Sequence, residues 1–156
     1  MNAVATQPAP MVIVGCSRRK AVTDVPLPAL ELYQGGRVPD LRARVVNRPD
    51  LRRQVWIISA EHGLVGADTP LLPYDRRMDL ERAIALREQV RTVIARLTAR
   101  GRAPSAVLAV AEPIYLTALA ELSSLLPGRP ITWLSSPSRD WSRAEKQLDT
   151  WSWPCP

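Results

Sequence analysis

Two short stretches hold most of the side chains that can do chemistry. CSRRK runs from Cys16 to Lys20, and SAEHGLVGADTPLLPYD, from Ser59 to Asp75, carries the chain's only histidine. In CSRRK a thiol, a hydroxyl and three consecutive cations follow one another, so Ser17 and backbone N–H groups can meet an anion that Arg18, Arg19 or Lys20 neutralises. A solvated charged turn would look the same. Cys16, next to those cations, reads either as a nucleophile with His62 as its base or as small buried filler.

Glu61 and His62 are adjacent, so in an extended backbone they point to opposite sides and one of them faces a given pocket. A carboxylate leaving a buried strand beside cations suits general-base or charge-stabilising work, the role expected of Glu61. His62 is divided between contacting water or base and organising its own loop. One histidine without a second, or a cysteine pair beside it, argues against zinc, and neither metal nor cofactor is expected. In LLPYD, Tyr74 offers a ring for stacking on a planar base and Asp75 a second carboxylate for ring or amide N–H donors. A turn after Pro73 that leads into a helix is the structural alternative. AEPIYLTAL adds Glu112 at a helix start, where a plain capping or first-turn acid is the alternative to a pocket carboxylate, and Tyr115 one turn in, on the pocket side. The expected catalytic set is Glu61, His62, Asp75 and Glu112, with Cys16, Ser17, Arg18, Arg19, Tyr74 and Tyr115 binding substrate.

These residues need strands to hold them. MVIVG is a short, β-branched, continuous apolar run, the pattern of a strand buried on both faces, VWIIS reads as a second buried strand, and SAVLAV and PITWLS as a third and a fourth. Between them, LPALELYQGG and VPDLRARVVNRPDLRRQ suit short helices. MDLERAIALREQVRTVIARLTARG is the clearest helix, with Leu80, Ile84, Val90, Ile94 and Leu97 on its inner face and Gly101 as its stop. EPIYLTALAELSSLLPG reads as one further helix, and the segment from Ser59 to Asp75 as a Gly- and Pro-punctuated loop. Strands alternating with helices predict an α/β fold: three layers, a mostly parallel sheet of four to five strands, and helices on both faces. It is Rossmann-like, yet VGCSRRK matches neither the dinucleotide nor the P-loop glycine pattern. In such sheets ligands bind at the carboxyl ends of the strands, which selects the loops after the first two, CSRRK and SAEHGL.

At 156 residues and 46% hydrophobic composition the chain suits one domain over residues 11–156, after a flexible leader over 1–10. The formal charge of +6 favours phosphate-bearing partners, although an arginine-rich, alanine-rich genome gives the same excess without selection. Two cysteines far apart make neither a disulfide framework nor a metal site, and a reducing cytoplasm follows. No apolar run approaches a membrane span. Nucleic acid and a homodimeric partner stay open. The late tryptophans Trp133, Trp141, Trp151 and Trp153, interleaved with Arg139, Arg143 and Lys146, suit either base stacking or packing of the tail.

The order CSRRK, ALELYQGG, VWIISAEHGLVGADTPLLPYD and YLTAL is similar to a widespread bacterial and phage domain family. Its members read Cys-Ser-(Lys/Arg)-(Lys/Arg)-Lys, a Leu-Tyr step, Ser-Ala-(Lys/Glu)-His-Gly-Leu and Pro-Tyr-Asp. The resemblance spans about Val12 to Leu119 and leaves the Trp-rich tail uncovered. More distantly, ISAEHGLVGADTPLLPYDRRM resembles a segment of the YaaA peroxide-stress family, which implies DNA binding; His62 stands where that family has Tyr, and Asp75 where it has Arg. Related α/β domains occur near deazaguanine and nucleoside metabolism and share topology with base-excising glycosylases, which implies nucleobase chemistry. Glu112 stands where relatives are expected to carry glycine, an added acid for the pocket. The reading that follows is a hydrolase of nucleotides or nucleosides that cleaves an N-glycosidic bond without metal. The alternative is a nucleic-acid-binding protein without turnover, and a third option is a transferase acting through Cys16.

Overall fold

MVIVG forms β1, Met11–Gly15, in the computed structural model, which describes residues 8–156. Val12, Ile13 and Val14 are fully buried, because β1 is the centre of the sheet and is covered on both sides. A two-residue strand β2, Leu27–Pro28, and a single turn of helix α1, Ala29–Leu32, lead to α2, Val38–Val45, and α3, Pro49–Arg52. Proline sits in the first turn of both α2 and α3, where its missing N–H costs nothing, and this divides VPDLRARVVNRPDLRRQ into two helices. Then come β3, Val55–Ser59; β4, Gly63–Gly66; and β5, Pro70–Leu71, which pairs with β2. α4, Leu80–Ala99, is capped by Asp79, whose carboxylate accepts from Arg82 N–H at 2.7 Å. The chain closes with β6, Val107–Val110; α5, Pro113–Ala118; α6, Leu122–Leu125; β7, Ile131–Leu134; and α7, Trp141–Thr150.

The sheet order is β4-β3-β1-β6-β7, with β1 parallel to β3 and β6, β6 parallel to β7, and β4 antiparallel at one edge. The fold is α/β in three layers. Val12, Val14, Ile57, Leu108 and Val110 meet α1, α2 and α7 on one face. Ile13, Ile58 and Ala109 meet α4, α5 and α6 on the other. This alternation is the period-two pattern of a strand between two helical layers.

Several expectations change. The fifth strand, β4, comes from the segment expected to be loop. The inner face of α4 is Ala83, Leu86, Val90 and Ile94, whereas Leu80 and Ile84 are about half exposed at 57% and 50%. EPIYLTALAELSSLLPG breaks into α5 and α6, and at the break the Thr117 carbonyl accepts from Ala120 N–H at 3.3 Å and from Arg87 Nε at 3.0 Å. Leu119 N–H turns back to Leu116 O, tightening the last turn. Of the expected leader, residues 1–7 lie outside the described residues, and Ala9 O accepts from Ser105 N–H at 3.1 Å. Trp141 and Trp153 are buried in the core, with Arg37 over the Trp141 ring at 5.1 Å. No helix among the described residues is long and apolar enough to cross a membrane.

Candidate functional site

The order β3-β1-β6 contains a reversal: from β1 the chain moves outward to β3 on one side and then crosses to β6 on the other. Such a switch point leaves a crevice beyond the carboxyl ends of the two diverging strands, here β1 and β6. A cleft of about 520 Å³ lies there. The loop after β1 lines it with Cys16, Ser17, Arg18 and Lys20. The segment ahead of α4 adds Asp75, Arg76, Arg77 and Met78, and the start of α5 adds Glu112, Ile114 and Tyr115. The loops that meet are therefore those after β1 and β6, both of which carry expected site residues, whereas the SAEHGL turn after β3 lies outside the lining.

Of the expected site residues, Cys16, Ser17, Arg18, Asp75, Glu112 and Tyr115 come together in the cleft, and Arg19, Glu61, His62 and Tyr74 lie outside its lining. Ser17 is buried and its hydroxyl holds the turn: Oγ donates to Arg19 O at 2.6 Å and accepts from Gly35 N–H at 3.1 Å. A Cβ on Gly35 would sit 3.2 Å from the Ser17 Cβ, so glycine lets the two loops approach this closely. Ser17 thus shapes the loop after β1, with its hydroxyl engaged by Arg19 O and Gly35 N–H.

Glu61 and His62 occupy the tip of a tight β3–β4 hairpin, with Ser59 paired to Gly63. The Ser59 hydroxyl accepts from both Glu61 N–H and His62 N–H, at 3.2 and 3.0 Å. Arg82 clamps the same turn from α4, donating to Ala60 O and Glu61 O at 2.8 and 2.6 Å. The Glu61 carboxylate meets Arg76 at 3.3 Å, so it touches the cleft through a cation of the cleft wall. His62 is exposed and packs edge-on against Tyr74, ring centroids 5.3 Å apart.

Beneath the cleft the chain's three tyrosines gather around Cys16. Tyr74 OH shares hydrogen bonds with Ser59 Oγ at 2.6 Å and with Tyr33 OH at 2.7 Å. The Cys16 thiol donates to Tyr115 OH at 3.5 Å. Burial pushes the Tyr33 phenol up to about 12. It also raises Tyr74 and Tyr115, with the neighbouring Cys16 adding to the effect. At neutral pH all three are therefore un-ionised hydroxyls. Lys20 Nζ lies 4.3 Å from the Tyr74 ring centroid and 5.8 Å from that of Tyr33.

Tyr33, Ser59, Arg76 and Arg77 were not among the expected site residues. Arg76 and Arg77 follow LLPYD directly, so cations adjoining a candidate acid were the available signal. For Tyr33 the available signal was its place in the Leu-Tyr step of ALELYQGG, although its partner Tyr74 lies 41 residues away.

The cleft carries four cations, Arg18, Lys20, Arg76 and Arg77, against two carboxylates, Asp75 and Glu112. Among the described residues neither carboxylate has an ion-pair partner, and of the four cations Arg76 alone has one. Such a site suits an anionic ligand whose other end meets acid groups. The model of a family of unknown function (DUF6884) matches residues 11–127, which takes in every residue of the cleft and stops before β7 and α7. No curated protein and no solved structure matches the chain.

Proposed function

We propose, from the premise that the chain belongs to this family of unknown function (DUF6884), that the cleft binds a nucleotide or nucleoside and hydrolyses its N-glycosidic bond. One observation carries the reading: Asp75 and Glu112, free of ion pairs among the described residues, face the same cleft as four cations. Departure of a base leaves an oxocarbenium-like sugar, which a carboxylate stabilises while a second group activates water or protonates the leaving base. Glu112, at the end of β6, takes the first role. Asp75, across the cleft, takes the second, and Tyr115, a neutral hydroxyl, donates a hydrogen bond to the ligand. Glu61 becomes a positioning residue that holds Arg76.

The test is a panel of nucleosides and nucleoside monophosphates incubated with the protein and analysed for free base. E112Q should lower turnover by about 100-fold or more while substrate still binds, and E61Q by only about threefold. Base release that survives both E112Q and D75N would remove the proposed chemistry. A second reading, nucleic-acid binding without turnover, is favoured by a separate feature. Arg53, Arg100 and Arg102 line an open groove at the amino ends of the strands, with no ion-pair partner among the described residues. Absence of base release together with salt-sensitive oligonucleotide binding would select that reading.

A further inference from the structure

Resting on the reading above, we infer that Lys20 is the anchor of a terminal phosphate, so that the cleft selects nucleoside monophosphates over nucleosides. The hydroxyl of Ser17 is committed to its own turn, and Arg19 does not line the cleft. Arg18, Arg76 and Arg77 line it but are exposed, long and rotamer-rich, and Arg76 is already held by Glu61. Lys20 differs from all of them because its ammonium is placed in advance.

Its position is fixed from two sides. Nζ stands over the Tyr74 ring and donates to Arg18 O at 3.3 Å. The ring beneath it is immobilised in turn, since the Tyr74 hydroxyl is tied to Ser59 at the end of β3 and to Tyr33 beside α1. With one donor given to the Arg18 carbonyl, the ammonium keeps donors for a ligand oxygen, and no carboxylate within ion-pair distance competes for them among the described residues. A fixed cation costs less to organise on binding than the exposed Arg18 and Arg77, unpaired among the described residues.

The residue type supports this. The chain's 21 basic residues are nineteen arginines and two lysines, Lys20 and Lys146. In so arginine-biased a sequence, the cation over the ring is a lysine. A compact ammonium fits between a ring face and a carbonyl, whereas a planar guanidinium would lie flat on the ring and extend beyond the carbonyl. Tyr74, expected to stack on a base, instead holds the phosphate-binding cation.

Calorimetric titration of the full chain with inorganic phosphate, a nucleoside and its 5′-monophosphate tests the assignment, alongside base release from the latter two. The monophosphate should bind at least about tenfold more tightly than the nucleoside. K20M should abolish phosphate binding and that preference. Y74L should act like K20M, Y74F should fall between K20M and the unaltered protein because the ring face remains without the hydroxyl bonds that fix it, and K20R should not restore the preference. Circular dichroism of K20M separates loss of the anchor from loss of the fold. Equal affinity for nucleoside and monophosphate, no detectable phosphate binding, or an unchanged preference in folded K20M would each overturn the inference. Equal base release from both ligands would leave hydrolysis standing and remove the anchor. Lys20-dependent binding without base release would do the reverse.

Discussion

Burial of three phenols around one thiol gives the site a built-in alkaline limit. Tyr33 is raised to about 12, and Tyr74 and Tyr115 are raised as well, in each case chiefly by burial. In the unfolded chain these groups ionise near 10, so between about pH 10 and 12 the unfolded state has already given up protons that the folded state retains. Stability contributed by the tyrosines is complete below pH 10 and declines above it. Tyrosinate absorbance should therefore rise in a cooperative step together with loss of circular dichroism, and gradual ionisation in a still folded protein would contradict this. The site was partly legible at this scale. Cys16, Ser17, Arg18 and Glu112 follow strand ends directly, and the open-sheet rule marks such positions. Ser59 ends a strand too, but its use as a hub for two backbone N–H groups and a phenol depends on the hairpin and on Tyr74, which spacing does not reveal. Lys20 read as one of three equivalent cations, because nothing local distinguishes the one that lies over a ring.

At the scale of elements, the β3–β4 hairpin carries the largest departure from the sequence reading. GLVG is short and flanked by glycines, which resembles loop more than strand, although a three-residue turn followed by glycine is itself a hairpin signal. Gly63 has φ +75°, and a Cβ there would collide with the Gln89 amide. That amide exchanges two hydrogen bonds with the Leu64 backbone, at 2.8 and 2.9 Å, closing part of the free edge of β4 with a side chain from α4. G63A should cost about 2–3 kcal/mol in denaturant unfolding. G63A/Q89A should recover the steric part relative to additivity but not the part due to the positive φ. Additive losses would show that Gln89 does not enforce the glycine. In α4, five apolar residues fitted one helical face, but alanine also belongs to the buried seam, and Ala83 at the i+3 spacing from Leu86 sets the true inner face.

At the scale of the whole molecule, α7 and the residues after it, which lie beyond the family match, are tied to α2. Arg44 on α2, 3% exposed, is bonded by Glu145 and Asp149 of α7 at 3.3 and 3.2 Å and donates to Pro154 O. The two carboxylates are 45% and 54% exposed, so their own desolvation is small while that of the guanidinium is nearly complete. E145Q/D149N should therefore destabilise by about 2 kcal/mol, by leaving a buried cation without its counter-charges, and R44M by less than about 1 kcal/mol. Thermal unfolding of both variants decides, and a larger loss in R44M would overturn the argument. The layered α/β class was legible because β1, β3 and β6 are nearly continuous apolar runs. The contacts of the tail were not, since a charged residue in an amphipathic helix gives no hint that its partner is a buried arginine a hundred positions earlier.

The place of β1 between β3 and β6 has a consequence for how the chain is made. Among the described residues β1 comes first in chain order, and its neighbours lie about forty and about ninety-five residues downstream, so both edges of MVIVG are satisfied only once β6 has been made. Long-range parallel pairing of this kind closes slowly. Until β6 emerges, the nascent protein displays an unpaired, wholly apolar edge of the kind that chaperones bind.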